Sequence, residues 1–174
     1  MFAFLCCASF HLQAVQVIML MGPSCAGKST LSQYLCAELN QKEEQWRVVD
    51  FDEVDKSIEQ LILVTNDCLQ QDINVIIDTN TYEDGMEKKF NGATTITKII
   101  VTAPLDILLQ RDAQRTERFK RSEKRAYWCR NFVINSFSAS LTWSADLIVD
   151  SSLQSVRQSC DVIFNFLKNL IILT

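Results

Sequence analysis

The sequence predicts a three-layer α/β fold: one five-stranded parallel sheet with helices on both faces. Three observations carry this prediction. Short apolar runs alternate with longer amphipathic ones along the whole chain, most of the short runs are rich in β-branched residues, and the first of them ends in a glycine-bearing loop. Strands that are apolar throughout, rather than at every second position, belong to a sheet covered on both sides. The 174 residues suit one domain, and no repeat, low-complexity tract or composition break divides them. Residues 13–174 are therefore read as a single domain behind an apolar lead-in at 1–12.

The first strand is expected at 14–21 (AVQVIMLM). This settles how to read the apolar stretch Met1 to Met21. It carries no Lys or Arg, as a secretory signal would, and its second half is required as a strand, which argues against a membrane span. A helix follows at 28–40 and a second strand at 46–51 (WRVVDF). The next helix is expected at 53–71, with Asp52 at its start. A third strand covers 73–78 (INVIID), a short helix 81–90, and a fourth strand 95–102 (TITKIIVT). Helices at 104–119 and 123–140 precede a last strand at 145–150 (ADLIVD) and a terminal helix at 153–172. In that last helix Val162, Ile163, Phe166, Leu167, Leu170 and Ile171 form an apolar stripe that is expected to pack on the sheet.

Composition excludes several classes. With 17 Lys and Arg against 21 Asp and Glu, the net charge is −4, the wrong sign for a protein that lives on nucleic-acid phosphates. Seven scattered Cys with no C-x-x-C pair do not make a disulfide scaffold and point to a reducing, cytoplasmic setting. The single His, His11, leaves no Ser-His or Cys-His hydrolase and no Cys/His zinc site.

The loop after the first strand runs Gly22, Pro23, Ser24, Cys25, Ala26, Gly27, Lys28, Ser29, Thr30 and fits G-x-x-x-x-G-K-[ST]. Glycines let successive backbone N–H groups point inward as a nest for phosphate oxygens, and the helix that opens there adds its positive end. Lys28 supplies a full charge to the β- and γ-phosphates of ATP, and the Ser29 hydroxyl is placed to ligate Mg²⁺. The strand before and the helix after are the context this motif requires. Cys25 reads either as a thiol activated by the helix end or as one of the small residues such a loop tolerates.

A regulatory GTPase needs D-x-x-G and N-K-x-D, and the chain has neither. A phosphotransferase needs carboxylates for Mg²⁺, a base near the acceptor hydroxyl, and cations over the moving phosphoryl group. Asp50 and Asp52 form D-x-D at the end of the second strand, where alternation points both the same way. Asp52 is the base candidate, its alternative being a helix N-cap with Asp55 three positions on. Asp78 ends an apolar strand as a Mg²⁺ carboxylate does; Thr79 and Asn80 follow it. Residues 111–130 hold eight cations against three anions, a local charge of +5 in a chain otherwise at −9. Arg111, Arg115 and Arg118 share one helical face. The segment reads either as a solvated face or as a basic lid, at about 115–127, that closes over phosphates.

Gly22–Thr30, the D-x-D, I-I-D at 76–78 and A-P-L-D-I-L-L-Q-R-D-A-Q-R at 103–115 together resemble small P-loop kinases of the nucleoside-monophosphate-kinase fold, a P-loop NTPase architecture. The chain looks closest to chloramphenicol phosphotransferase-like proteins, and it is similar to adenylylsulfate and shikimate kinases. The resemblance spans roughly residues 15–170. It implies that Asp50 and Asp52 serve Mg²⁺ and the acceptor hydroxyl, with Asp52 as base. It also implies that Arg111 stacks on adenine and Arg115 meets the phosphates, and that the loop after D-L-I-V-D lines the adenine pocket. The segment 79–92 matches no acceptor site of these families, and the lid lacks their hinge glycine. The expected activity is ATP-dependent transfer to a small-molecule hydroxyl. The acceptor would sit between Asp52, the 53–71 helix and the 79–92 segment, near Phe51, Tyr82, Tyr127 and Trp128. A 5′-hydroxyl nucleic-acid or nucleotide kinase and a non-catalytic ATP-binding switch are the alternatives. Oligomeric state is not legible in the sequence.

Overall fold

The computed structural model describes residues 15–41 and 45–172. The lead-in 1–12 lies outside them. Five strands, β1 (Gln16–Met21), β2 (Trp46–Asp50), β3 (Asn74–Thr79), β4 (Thr95–Thr102) and β5 (Leu147–Asp150), form one sheet in the order β2-β3-β1-β4-β5. Every neighbouring pair is parallel. Five helices connect or follow them: α1 (Lys28–Asn40), α2 (Ile58–Leu69), α3 (Leu105–Arg118), α4 (Glu123–Ser140) and α5 (Val156–Ile172). The α/β sandwich that the alternation predicts is the fold.

Strand alternation splits the core into two layers. Ile18, Leu20, Ile76, Ile99, Val101 and Val149 face one side and meet Leu31 and Leu35 of α1, Leu108 of α3, Val133 of α4 and Ile163 of α5. Val17, Met19, Met21, Val75 and Ile77 face the other and meet Leu61, Cys68 and Leu69 of α2 with Met86. Successive side chains of a strand point to opposite faces, so a central strand such as β1 must be apolar throughout. The stripe of α5 is shifted from the expected one. Cys160 and Ile163 are buried, with Phe164 and Leu167 packed beside them, whereas Val162 is exposed. Burial pushes the Cys160 thiol up to about 12, so it behaves as a small apolar side chain. The five cysteines among the described residues are all free thiols. No helix among them is long and apolar enough to cross a membrane.

Two elements differ from expectation. α2 begins at Ile58, not 53, because residues 51–56 form a run of turns in which Asp55 and Lys56 take positive φ of 51° and 52°. Its N-cap is Ser57, whose hydroxyl accepts the Gln60 N–H. The helix expected at 81–90 shrinks to a 3-10 turn, Met86–Lys89, started by Gly85 at φ 80°.

The connection from β1 to β2 leaves to one side of β1 and that from β3 to β4 to the other. The crevice at the carboxyl ends of these strands is where such sheets bind ligands. Gly22 is essential to it. At φ +146° its position would place a Cβ 2.0 Å from the carbonyl oxygen of Val101 on β4, and that backbone cannot move aside. Gly22→Ala is therefore expected to cost more than about 3 kcal/mol in denaturant unfolding, or to prevent folding. Gly92→Ala, at φ +91° in open space, should cost only about 1 kcal/mol.

Candidate active site

Every element of the site sits at the carboxyl end of a strand. The loop 22–27 leaves β1 and turns into α1 through Gly27 at φ 92°, whose carbonyl accepts the Leu31 N–H at 3.0 Å. Cys25 holds φ 67°, unusual for a residue with a side chain, and is buried. The loop is clamped from helices distant in sequence. Ser24 N–H donates to the buried Ser136 Oγ of α4 at 3.1 Å. Arg111 Nη1 of α3 donates to the Cys25 carbonyl at 3.2 Å and to Ser151 Oγ at 2.8 Å, and Nη2 to the Ser151 carbonyl at 2.9 Å.

Lys28 is buried, and its Nζ donates to the Pro23 carbonyl at 3.0 Å. Burial lowers its pKa from 10.5 against the upward pull of Asp78, Asp52 and Asp50. Asp78, at the end of β3, is paired in register with Asp50 at the end of β2. Burial pushes the Asp78 carboxyl above 3.8; the Lys28 ammonium and the Ser29 hydroxyl draw it back, and Asp50 adds to the rise. Its Oδ2 is buried and accepts no hydrogen bond. An unpartnered carboxylate oxygen next to a second carboxylate and a hydroxyl is a donor set for a hard cation, so Ser29, Asp50 and Asp78 fit Mg²⁺. Among the described residues no three His, Cys, Asp or Glu side chains converge as a metal cage. Mg²⁺ needs none, because it keeps much of its water.

Asp52 is placed differently from the expectation. It lies beyond β2 and caps no helix. Its N–H donates to Asp50 Oδ1 at 2.8 Å, so a turn rather than strand alternation brings the two carboxyls together. Its own carboxyl is solvent-accessible and lies 3.7 Å from Lys56 Nζ.

Three cavities meet at the loop. One of about 380 Å³ is lined by Gly27, Thr30, Arg111, Arg118, Ser151 and Gln154, among others. A narrow one of about 70 Å³ is lined by Lys28, Ser29, Thr30, Asp50, Asp52 and Asp78. A third of about 670 Å³ lies between the turn after β2, the segment after β3 and one face of α4. Cys25 and Arg115 line all three, and Asp52, Phe51 and Asn80 line both the narrow and the large one. The three arginines of the α3 face thus share one wall of the 380 Å³ cavity, as their spacing predicts.

The large cavity differs from the space expected between Asp52, the 53–71 helix and the 79–92 segment. Its far wall is α4, with Arg125, Trp128, Cys129 and Phe132, not α2. Phe51 and Trp128 line it as expected. Tyr82 instead packs edge-on against Trp143 and donates to Glu87 Oε2, and Tyr127 is exposed to solvent. Sequence reasoning missed Ser136 and Phe132, whose i, i+4 spacing on α4 was the available signal. The stretch 115–127 consists of the last turn of α3, the turn 119–122 and the first turn of α4, with Arg121 Nη1 2.8 Å from Asp112 Oδ1.

Residues 17–127 match the family described as AAA domain. No curated protein matches the chain in sequence. Several solved structures share its fold. A gluconokinase from Sinorhizobium meliloti 1021 superposes at TM-score 0.62 with 10% identity, over 92% of this chain and 98% of that one. The Mycobacterium tuberculosis APS kinase CysC, in complex with AMPPNP and APS, does so at 0.59 with 12% identity, over 89% and 98%. Shikimate kinase from Bacteroides thetaiotaomicron does so at 0.52 with 15% identity, over 88% and 98%. At such identities the likeness is one of fold, that of the P-loop kinases.

The raised pKa of Asp78 has a sign that can be checked. A carboxyl that binds its proton more tightly when folded makes the ligand-free fold less stable as pH rises from about 3.8 through the raised value. Asp78→Asn is thus expected to leave the ligand-free melting temperature at pH 7 unchanged or higher, each kcal/mol being worth about 2–4 °C. The same variant should lose the extra thermal shift that Mg²⁺ adds to ATP. An undiminished Mg²⁺ increment would remove Asp78 from the cation site.

Proposed function

The chain belongs to the AAA domain family, and on that premise we propose that it is an ATP-dependent phosphotransferase that moves the γ-phosphoryl group to a hydroxyl of a small molecule. The observation that carries this reading is the meeting of three cavities at Cys25 and Arg115, with Asp52 on the wall between the narrow one and the large one. A mere nucleotide binder has use for the first two cavities only.

In this reading the base occupies the cavity beside Arg111 and Ser151, and the phosphates lie along 22–30. Lys28 and Arg115 neutralise the charge that develops on the transferring group, and the loop N–H groups hold its oxygens. Ser29, Asp50 and Asp78 would hold Mg²⁺, which when bound screens the β- and γ-oxygens. Asp52 accepts the proton of the acceptor hydroxyl as that oxygen bonds to the γ-phosphorus and the bond to the ADP oxygen breaks. A base must reach an incoming hydroxyl, and the accessible carboxyl of Asp52 does so where the buried Asp78 does not. A carboxylate base after the second strand is also the feature that supports the chloramphenicol phosphotransferase-like assignment. Gluconokinase, APS kinase and shikimate kinase are neighbours in fold whose names state small-molecule acceptors, and they favour that acceptor class over a nucleic acid. Closure of the 115–127 segment over the phosphates completes the proposal.

The test is label transfer from γ-labelled ATP with Mg²⁺ to pools of antibiotics, sugars, nucleosides, adenylylsulfate and 5′-hydroxyl oligonucleotides. Lys28→Ala is expected to lose nucleotide affinity and turnover together. Asp52→Asn should keep ATP affinity and lower turnover by about a hundredfold or more. Full-rate turnover by Asp52→Asn would overturn the base assignment. ATP binding with no transfer to any pool would favour the switch-like binder.

A further inference from the structure

We propose that the acceptor is an anionic compound with a flat ring, selected by Arg125 and Trp128 on α4. The inference deepens the phosphotransferase reading, on which it rests for the fate of the hydroxyl, but its recognition argument is independent of turnover.

The 670 Å³ cavity is basic. Its walls carry Lys56, Arg115, Arg121 and Arg125 against Asp52 and Asp112, an excess of cations in a chain whose net charge is −4. Two of the cations are already matched. Arg121 lies 2.8 Å from the buried Asp112, and Lys56 lies 3.7 Å from Asp52. Among the described residues neither Arg115 nor Arg125 has a carboxylate partner. Arg115 also lines the two other cavities and is committed to the phosphates. Arg125 lines neither of them, so its charge belongs to the large cavity and to the hollow beside Lys124 that it shares with Trp128.

Shape follows from the same helix face. The Arg125 guanidinium lies over the Trp128 ring, 5.3 Å from its centroid. Trp128 in turn stacks on Phe132 with centroids 5.5 Å apart and planes within 8° of parallel. The spacing 125, 128, 132 places all three on one stripe of α4. Arg125 and Phe132 take the faces of Trp128, and its remaining exposure, 54%, presents an aromatic edge beside an anion site, which a planar ring meets edge to face. A ligand that uses both carries a carboxylate, phosphate or sulfate next to a planar ring, with its hydroxyl reaching Asp52 on the opposite wall.

The test measures binding to the full chain saturated with Mg²⁺ and AMPPNP, by equilibrium dialysis, for matched pairs that differ only in charge. The pairs are 4-(hydroxymethyl)benzoate against its amide, and adenosine 3′-phosphate against adenosine. Quinate serves as the anion without a flat ring. In at least one pair the anion is expected to bind about tenfold tighter or better, the scale of one hydrogen bond to a charged group. Arg125→Gln should collapse that ratio and Arg125→Lys should largely keep it. Trp128→Leu should weaken the ring compounds more than quinate. Equal binding within both pairs, no binding by any probe, or a ratio that survives Arg125→Gln would overturn the proposal. Label transfer run in parallel separates the two readings. Transfer to a neutral acceptor without anion preference keeps the phosphotransferase and rejects the anionic acceptor. An Arg125-dependent preference in an enzyme that phosphorylates nothing supports the anion site and counts against the phosphotransferase.

Discussion

A lysine ammonium buried at the carboxyl end of a parallel sheet, with three aspartates around it, is the constraint on which the rest of this structure depends. Lys28 and Asp78 are both buried, and burial pushes each toward its neutral form more strongly than their mutual attraction restores it. Such a pair does not hold a fold together. It is held in place by what surrounds it: the two apolar layers on either side of β1 and β3, and the register that sets Asp50 against Asp78. The same arrangement makes ligand binding favourable. A phosphate oxygen at Lys28 and a cation at the unpartnered Asp78 oxygen would relieve both desolvation penalties together, and a ligand bound only by the folded state stabilises it in turn.

The loop that presents Lys28 is fixed by two helices contributed more than eighty residues later. Arg111 ties α3 to the Cys25 carbonyl and to Ser151 after β5, while Ser136 ties α4 to the Ser24 N–H. These helices also wall the 380 Å³ and 670 Å³ cavities. The position of the loop and the shape of these cavities therefore share one scaffold. Movement of α4 would pull on the hydrogen bond between Ser24 and Ser136, whereas the 380 Å³ cavity is anchored through α3.

How much of this was legible in the sequence depended on how local the determinant is. The loop 22–30 is readable because its motif and glycines are local in sequence, although α3 and α4 clamp it in place, and the sheet is readable because β1 and β3 must be apolar on both faces. The start of α2 was not. Asp55 and Lys56 take positive φ without glycine or asparagine to mark it, so Asp52 looked like a helix start when Ser57 is the cap. The pairing of Asp50 with Asp52 was anticipated, but a turn hydrogen bond produces it. The wall of the large cavity is hidden for another reason. Tyr82 and Trp128 look alike in sequence, and only the packing of β4, β5 and α4 decides that one joins Trp143 while the other faces a cavity.

The basic segment 111–130 shows how a charge run resolves once its helices are placed. Read as a string it is one patch of +5. In space the turn at 119–122 divides it. Arg111, Arg115 and Arg118 end α3 on the wall of the 380 Å³ cavity, Arg121 turns back to neutralise Asp112, and Arg125 opens α4 toward the 670 Å³ cavity. Only the first group has a counterpart in the helical spacing of the sequence, because i, i+4 and i+3 neighbours on one helix share a face. The remaining cations pass to a second helix whose direction that spacing does not determine. Solved kinases with 10–15% identity share the sheet and the arrangement around it. In this chain the large cavity is walled by the turn after β2, the segment after β3 and one face of α4. On the proposed reading, acceptor choice would rest on side chains such as Arg125 and Trp128, while the sheet and its loop would place the phosphates.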